Sequence, residues 1–309
     1  MSRDVSKAIP MKSVVLFAIV LSGMAVSQTY GQTPFQQKGD AQLQRVQAVV
    51  TPEGTQRVQQ LTSVMQIAQI LSVMREEGFD YSKTLEEEMF PGRGGANWSA
   101  TVDTIYDETA MKSVFDAALV AELAGTDPEA IEVMQAFFSS DRGQRILTLE
   151  IEARRALLDQ DTEEAAKLHV EDLAAADDPR LALIREFADA NDLIEMNVAG
   201  ALNANLAFFK GMAAEGGFDV EMTEDEMLQN VWSQEPEIRA ETETWLYPYL
   251  ALAYQPLTDA DMQAYLAFSD QAEGKALNAA LFAAFNVLFT DISGRLGRAA
   301  ARQLRGEDI

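Results

Sequence analysis

Apolar residues recur at helical spacing along most of the chain. A segment that begins near Gln56 carries them on more than one face, which predicts a largely buried helix ending at residues 76–80. A second helix, capped by Ser99 or Thr101, is predicted to continue to Leu123. No stretch alternates apolar and polar residues for long enough to require a strand. The pattern therefore predicts an all-α fold.

One helical hairpin occurs twice in the chain. Each copy opens with a helix-capping sequence, continues for about three turns of apolar-periodic sequence, and turns at a polar corner. The corner contains a Gly six residues after a Phe, and these residues are Phe137 and Gly143 in the earlier copy and Phe268 and Gly274 in the later one. We expect each hairpin to contribute two antiparallel helices to the core.

The order of landmarks around the two hairpins also repeats, which predicts a tandem duplication of a four-helix unit, packed as a two-lobed helical array. Residues 51–160 form the first predicted repeat, and residues 161–309 form the second, which ends in a basic helix. A capping box at Asp161 is predicted to open a linking helix between them. The sequence at residues 77–80 is matched to that at residues 215–219, as the end of the first helix in each repeat.

The hairpin pattern resembles the family called domain of unknown function 2059. The shared features are a capped acidic start, an apolar helix ending in Phe, a Ser-x-x-Gly corner and a second apolar helix. The match covers residues 257–285, with a weaker copy at residues 126–153, and Gln271 departs from the pattern at the polar corner position. The resemblance implies a small helical domain of an exported bacterial protein, usually periplasmic, and it implies no activity.

The N-terminus has the pattern of an export signal over residues 1–27. It combines a basic start with an apolar run from Val14 and with small residues at Ala25 and Ser27 before the expected cut. The run is shorter than the roughly 20 residues that span a membrane, although a retained anchor is the alternative. Residues 28–50 are rich in Gln and predict a flexible tether. No later stretch is expected to span a membrane, so the expected location is the periplasm.

The charge and the residue inventory exclude several functions. The chain has 49 acidic and 24 basic residues, a net charge of −25, which opposes binding to nucleic acid. It has no Cys, which removes disulfides, thiolate metal sites and thiol nucleophiles, and its one His is His169. Because common catalytic side chains are so scarce, we expect no enzyme activity and no cofactor or metal.

Two loop features allow a structural and a functional interpretation. The hydroxyls and glycines of the two corners could form a small-molecule notch, but helix caps and close helix packing are the favoured explanation. The Gly-rich loop at residues 91–95 lacks the Lys-Ser/Thr of a phosphate cradle. We expect it to be a surface insertion, with presentation of Trp98 to a ligand or partner as the alternative.

Acidic turns at residues 86–88 and 219–226 could bind Ca²⁺, whose ligands are carboxylates and carbonyls. They lack the spacing of a calcium loop, and acidic residues in the first turn of a helix interact favourably with its dipole. Capping is therefore the favoured interpretation, and calcium binding is a minor one. His169 is expected to be structural.

Four asparagines occur in the long apolar helix of the second copy. A buried amide must be hydrogen-bonded, so these side chains are predicted to bond across to other helices or to line a polar cavity between the copies. The asparagines are Asn191, Asn197, Asn203 and Asn205.

Four arginines share one face of the C-terminal helix. They could dock an acidic partner, an anionic lipid surface or an anionic envelope polymer. The favoured alternative is that they stabilise the helix terminus and pair with the protein's own Glu residues. The arginines are Arg295, Arg298, Arg302 and Arg305.

Together these features predict an exported, non-enzymatic envelope protein that binds or scaffolds. Its partner would be an envelope protein or a small ligand, bound in the groove between the copies. The alternative is a carboxylate-dependent hydrolase of an envelope polymer. That activity requires two carboxyls about 5 to 9.5 Å apart in one cleft, at least one of them with a raised pKa. The oligomeric state is not predicted.

Overall fold

The fold is all-α, as the hydrophobic pattern predicts. The computed structural model describes residues 51–218 and 220–306, and these residues form helices and turns without a strand. The predicted export signal and tether, residues 1–50, lie outside the described residues, as does Asp219 of the second acidic turn.

The described helices fall into two halves with a linker between them. The first half contains α1 (Pro52–Val64), α2 (Ile67–Met89), α3 (Gly95–Ile105), α4 (Glu108–Glu122), α5 (Pro128–Ser139) and α6 (Asp141–Ala156). The linker is α7 (Gln160–Ala175). The second half contains α8 (Pro179–Ala190), α9 (Leu193–Ala214), α10 (Glu224–Ser233), α11 (Glu235–Tyr254), α12 (Asp259–Ser269) and α13 (Ala272–Arg305).

Two of the predicted helices are each divided by one residue in the left-handed region. Gln66 has φ 57° and separates α1 from α2, and Asp192 has φ 50° and separates α8 from α9. The first break is held by hydrogen bonds, since Gln66 Nε2 lies 3.0 Å from Gln144 Oε1 and Gln144 Nε2 lies 2.8 Å from the Val64 carbonyl. Hydrophobic periodicity alone does not detect these breaks, because apolar residues occur on both sides of them.

Local capping explains where several helices begin, and it corrects two predictions. Asp107 accepts from the Ala110 amide and starts α4, so the helix predicted from Ser99 or Thr101 is two helices, the first of which begins at Gly95. The linking helix is capped by Asp159 and not by a capping box at Asp161.

The predicted helix end at residues 76–80 is wrong, because α2 continues to Met89. Gly78 lies inside this helix for a packing reason: a Cβ there would overlap the ring of Tyr106. In the second half, by contrast, Gly216 and Phe218 follow the end of α9. The two sequences matched as landmarks of a repeat therefore occupy different structural positions.

Both halves are built on a parallel pair of helices. Gln66 contacts Gln144 and Glu77 contacts Arg154, so α2 and α6 advance together, and Asn203–Asn286 and Glu215–Arg302 show the same for α9 and α13. Each half also packs its first helix on its fifth and its second helix on its fourth. This shared helix order agrees with a duplication but does not establish one, so the tandem repeat stays a prediction.

The core is centred on α13, which packs along α9 and also contacts α3, α4 and α5 of the first half. By length and composition alone, α13 is long and apolar enough to cross a membrane, because its most apolar 18-residue window has a mean hydropathy of 1.4. The prediction that no later stretch reaches this level is therefore wrong. Burial accounts for the apolar composition of α13, since 56% of that window is enclosed by the surrounding helices.

Candidate ligand-binding site

A cavity of about 220 Å³ lies at the junction of the two halves. Its walls come from α2, α3 and the end of α6 on one side and from α13 on the other. The apolar part of the wall includes Met74, Leu157, Ile292 and Leu296. The polar part is formed by Glu77, Asp80, Tyr81, Thr84, Tyr106 and Ser293.

The floor of this junction cavity carries two phenols. Tyr81 is buried, and its hydroxyl is shielded from solvent without a hydrogen-bond partner in residues 51–218 and 220–306. Tyr106 is also buried, and its ring is in place because Gly78 leaves room for it. Burial raises the pKa of both phenols well above the ordinary value, so both stay neutral at physiological pH. Each neutral phenol can donate a hydrogen bond.

A buried ion pair closes the side of the junction cavity formed by α2 and α6. Arg154 Nε and one of its terminal nitrogens lie 2.6 and 2.7 Å from the two carboxylate oxygens of Glu77. Burial raises the pKa of Glu77, and the attraction of Arg154 opposes that shift. The bidentate geometry fixes the carboxylate and uses both of its oxygens.

Behind the ion pair, a second carboxyl is enclosed at the interface of α6 with α11 and α12. Tyr254 Oη lies 2.7 Å from Glu150 Oε1, and Tyr249 Oη lies 3.4 Å from the Glu150 carbonyl. Tyr265 also hydrogen-bonds to this carboxyl. Burial raises the pKa of Glu150 to about 8, although its tyrosine hydrogen bonds act to lower it. Glu150 is therefore mostly protonated at neutral pH.

The mouth of the junction cavity is formed by exposed residues. Asp80 and Thr84 project from successive turns of α2, and Leu158 is 39% exposed at the opposite rim. Asp80 is paired with Lys83 at 2.8 Å. Because both Glu77 and Asp80 have cationic partners, the cavity is close to electrically neutral, and its chemistry is that of hydrogen bonding and apolar contact.

Close glycine packing is present at both hairpin corners, whereas the predicted side-chain cap is present only at the first, since Gln271 makes no capping hydrogen bond at the start of α13. Ser140 caps α6 by accepting from the Gly143 amide at 3.1 Å. A Cβ on Gly143 would overlap the Phe137 carbonyl oxygen, and one on Gly274 would overlap that of Phe268. The glycines therefore permit the close approach of the two arms of each hairpin.

The Gly-rich loop does not present Trp98 to a ligand or partner. Trp98 is only 2% exposed, and its indole N–H donates to the Ser82 carbonyl at 3.1 Å. Its ring packs edge-on against Phe90, with centroids 5.0 Å apart. The loop itself is pinned by Glu86, whose carboxylate accepts from the Gly94 amide.

The acidic turns take part in local contacts. Thr223 and Glu226 form a capping box at the start of α10, and Glu224 pairs with Lys210 at 2.5 Å. Within residues 51–218 and 220–306, no group of three or more His, Asp or Glu side chains is placed to hold a metal ion. His169 lies half-buried on α7, away from the junction cavity.

The asparagines fit the two predicted roles only in part. Asn197 and Asn203 line a second cavity, but it lies between α9 and α13 and not between the halves. Asn205 bonds across to Gln234 of the α10–α11 turn at 2.9 Å. Asn191 is fully buried and donates to the Phe187 carbonyl in its own helix.

Most of the arginine face of α13 is used inside the chain. Arg302 pairs with Glu215 at 2.8 Å, and Arg305 donates to the Glu215 carbonyl at the C-terminal end of α9. Arg295 donates to the Thr104 carbonyl at the end of α3. Arg298 is exposed and adds to the positive field at Glu215, whose pKa is lowered chiefly by its hydrogen bond from Arg302. These contacts agree with pairing to the protein's own groups.

The sequence analysis did not identify the residues of the junction cavity. Tyr81 and Tyr106 line the cavity, whereas Glu150 and Arg154 lie outside its lining. None of the four has motif spacing, because they come from three segments that meet only in the folded chain. One local signal was present: Glu150 and Arg154 are charged residues four positions apart, on the helix face that also carries the apolar Ile146, Leu147 and Ile151.

Comparison with known proteins gives no relative from which to assign this site. No protein-family model, no curated protein and no solved structure matches the chain. The resemblance to domain of unknown function 2059 therefore stays a prediction from the hairpin sequences.

Proposed function

We propose that this chain is a non-enzymatic binding protein that takes a small, uncharged molecule into the junction cavity. The ligand would have an apolar body of about ring size and at least one hydroxyl, carbonyl or amide group. The observation that carries the proposal is the Tyr81 hydroxyl, which is buried in the wall of the cavity without a hydrogen-bond partner among the described residues.

The energetics favour a ligand at this position. A buried hydroxyl without a hydrogen bond costs about 1–3 kcal/mol, and a ligand oxygen that reached the Tyr81 hydroxyl through a shift of the surrounding side chains would remove that cost. The cavity exceeds the roughly 150 Å³ of an engineered apolar cavity that binds benzene. Met74, Ile292 and Leu296 supply apolar contact for the body of such a molecule.

The charge pattern selects against an ionised ligand. Arg154 neutralises Glu77, and Lys83 neutralises Asp80, so the cavity offers no unpaired charge to a cation or an anion. An anion would also meet the overall field of a molecule with net charge −25. An uncharged molecule avoids the desolvation cost that an ion would carry into this site.

A carboxylate-dependent hydrolase is the second candidate, because Glu77 and Asp80 line the same cavity and burial raises the pKa of Glu77. The contacts favour binding over catalysis. Both oxygens of Glu77 accept from Arg154, and this pairing stabilises the ionised carboxylate against the protonated form that a general acid requires.

Native mass spectrometry of the full chain, purified gently from its own host, tests the proposal. We expect an additional mass that is retained by wild type and lost from Thr84→Trp, which blocks the mouth of the cavity. Gln69→Trp is the matched control, because it adds the same side chain at another uncharged, exposed position of α2 that lies outside the cavity lining.

Tyr81→Phe separates ligand recognition from folding. It retains the ring and deletes only the unpartnered hydroxyl, so the melting temperature of the ligand-free protein should be unchanged or higher. Ligand retention should fall at least tenfold. A bare wild-type protein, or ligand retention equal in wild type, Thr84→Trp and Tyr81→Phe, would overturn the proposal.

We further propose that the protein is exported to the periplasm after cleavage of residues 1–27 and belongs with domain of unknown function 2059 as a tandem duplication. The hairpin sequences, the export-signal pattern and the shared helix order of the two halves support this. Cell fractionation and N-terminal sequencing of the purified protein test it. A chain found in the cytoplasm that still begins at Met1 or Met11 would contradict export.

A further inference from the structure

We infer that the second cavity, between α9 and α13, is a separate binding site for a linear hydrocarbon chain with an uncharged polar head. This slot has a volume of about 210 Å³. It lies within the second half and shares only Phe289 with the lining of the junction cavity. The inference therefore does not depend on the function proposed above.

The shape of the slot favours a chain over a compact ring system. Its lining extends from Met196 to Ala204 on α9 and from Ala279 to Phe289 on α13. At 1.5 Å per residue these stretches are about 12 Å and about 15 Å long. A volume of about 210 Å³ distributed over that length makes a narrow slot between two parallel helices.

The geometry of the helix pair explains where the slot ends. Beyond Ala204 the helices approach closely, because a Cβ on Gly211 would overlap the Gly294 carbonyl and one on Gly297 would overlap the Phe208 carbonyl. Within the slot there is space for a ligand. At Gly200, which lines the slot, an added Cβ would meet no atom within 4 Å.

The lining is uncharged throughout, although 24% of the residues in the chain are charged. Phe285 and Phe289 form the buried wall, and their stacked rings have centroids 6.1 Å apart. Small residues on both helices leave room for methylene groups between the backbones. An apolar chain would therefore be desolvated on both sides.

The mouth of the slot supplies hydrogen-bonding groups without charge. Asn203 is exposed, Asn286 is half-buried, and Asn203 Nδ2 lies 3.0 Å from Asn286 Oδ1. This contact leaves donor and acceptor capacity on both amides. An ester, amide or hydroxyl head could therefore bond at the mouth while the chain occupies the interior.

Isothermal titration of the full-length protein with monodecanoylglycerol tests this inference, with decanoate as the charged-head comparison. We expect saturable one-to-one binding of monodecanoylglycerol and at least tenfold weaker binding of decanoate. Gly200→Leu fills the slot from α9 and Ala283→Leu fills it from α13, and each should weaken binding at least tenfold. Ala165→Leu, an exposed change on α7, is the matched control.

Circular dichroism checks that each slot-filling variant is folded. Because Gly200→Leu and Ala283→Leu change different helices, one folded variant is enough for the test if the other does not fold. Thr84→Trp should bind monodecanoylglycerol as wild type does, because it alters only the junction cavity. Absence of saturable binding to wild type, undiminished binding to a folded slot-filling variant, or loss of binding in Thr84→Trp would overturn the inference.

Discussion

The rings of Phe137 and Phe268 stack face to face, with centroids 4.1 Å apart and planes inclined by 11°. Each is the Phe that lies six residues before the glycine of a hairpin corner, one in each half. The two corners are therefore in direct contact. A pair of equivalent positions that meet in this way is what a two-fold arrangement of the halves would produce.

The stacked pair should couple the stability of the two corners. Phe268→Ala removes a buried ring and is expected to reduce the free energy of unfolding by about 3 kcal/mol. In a double-mutant cycle with Phe137→Ala, urea denaturation should give a coupling energy of about 1 kcal/mol, because both substitutions remove the same contact. Additive effects of the two changes would show that the rings do not interact energetically.

The corner glycines should tolerate no side chain, unlike another helical glycine. Gly143→Ala and Gly274→Ala each force a Cβ against a backbone carbonyl, so each should destabilise the protein by about 2 kcal/mol or more. Gly200→Ala is the control. It has open space and should stabilise α9 by up to about 1 kcal/mol, since Ala is the better helix former. Thermal melts that rank the three variants otherwise would contradict these packing assignments.

Glu150 should make stability depend on pH between 4.5 and about 8. Its pKa is raised from an ordinary value of 4.5 to about 8, so the folded state holds a proton that the unfolded chain releases. Its contribution to stability is complete below pH 4.5 and declines as pH rises towards 8, by up to about 1.4 kcal/mol per pH unit. The Glu150→Gln side chain cannot ionise, so this variant should lack the pH dependence of stability that Glu150 causes.

The measurement is the difference in unfolding free energy between Glu150→Gln and wild type at several pH values. The unfolding free energy of Glu150→Gln relative to wild type should increase as the pH rises from 5 to 8 and should be constant above pH 9. Taking the difference removes the contributions of the other titrating groups. A constant difference across this range would show that Glu150 keeps an ordinary pKa in the folded protein.

Removal of one partner of the Glu77–Arg154 ion pair should destabilise the protein far more than replacement of both partners. Arg154→Met leaves Glu77 buried without its partner and should destabilise the protein by about 3–5 kcal/mol. Adding Glu77→Gln removes the unpaired charge, so the double variant should recover most of that loss. Chemical denaturation of the two single variants and the double variant checks this. If the double variant is no more stable than Arg154→Met, the destabilisation comes from lost packing and not from the unpaired charge of Glu77.

Parts of this structure were predictable because they depend on neighbouring residues. Asp127 with Pro128, and Thr258 with Asp261, cap helices through groups a few residues apart, so they are visible in the sequence. The all-α fold follows from apolar periodicity in the same way. The glycine corners could be identified because a Gly at a fixed distance from a Phe recurs.

The remainder depends on contacts between distant segments. The residues around Gly78 in the sequence suggest the end of a helix. Its actual role is to leave room for the ring of Tyr106, which lies at the end of another helix. The left-handed residue Gln66 is held by Gln144, which lies 78 positions away. The junction cavity could not be predicted, because its lining residues come from separate segments of the chain. The Tyr81 hydroxyl gave no signal either, since within the described residues it makes no hydrogen bond that a sequence pattern could reveal.

The position of α13 has a consequence for the order in which the protein can be made. This helix is central to the core and contacts α3, α4 and α5 as well as α9, yet it occupies Ala272–Arg305. A ribosome that has completed the first half has produced helices whose apolar faces still await residues not yet translated. The first half therefore cannot complete its core until α13 has been translated.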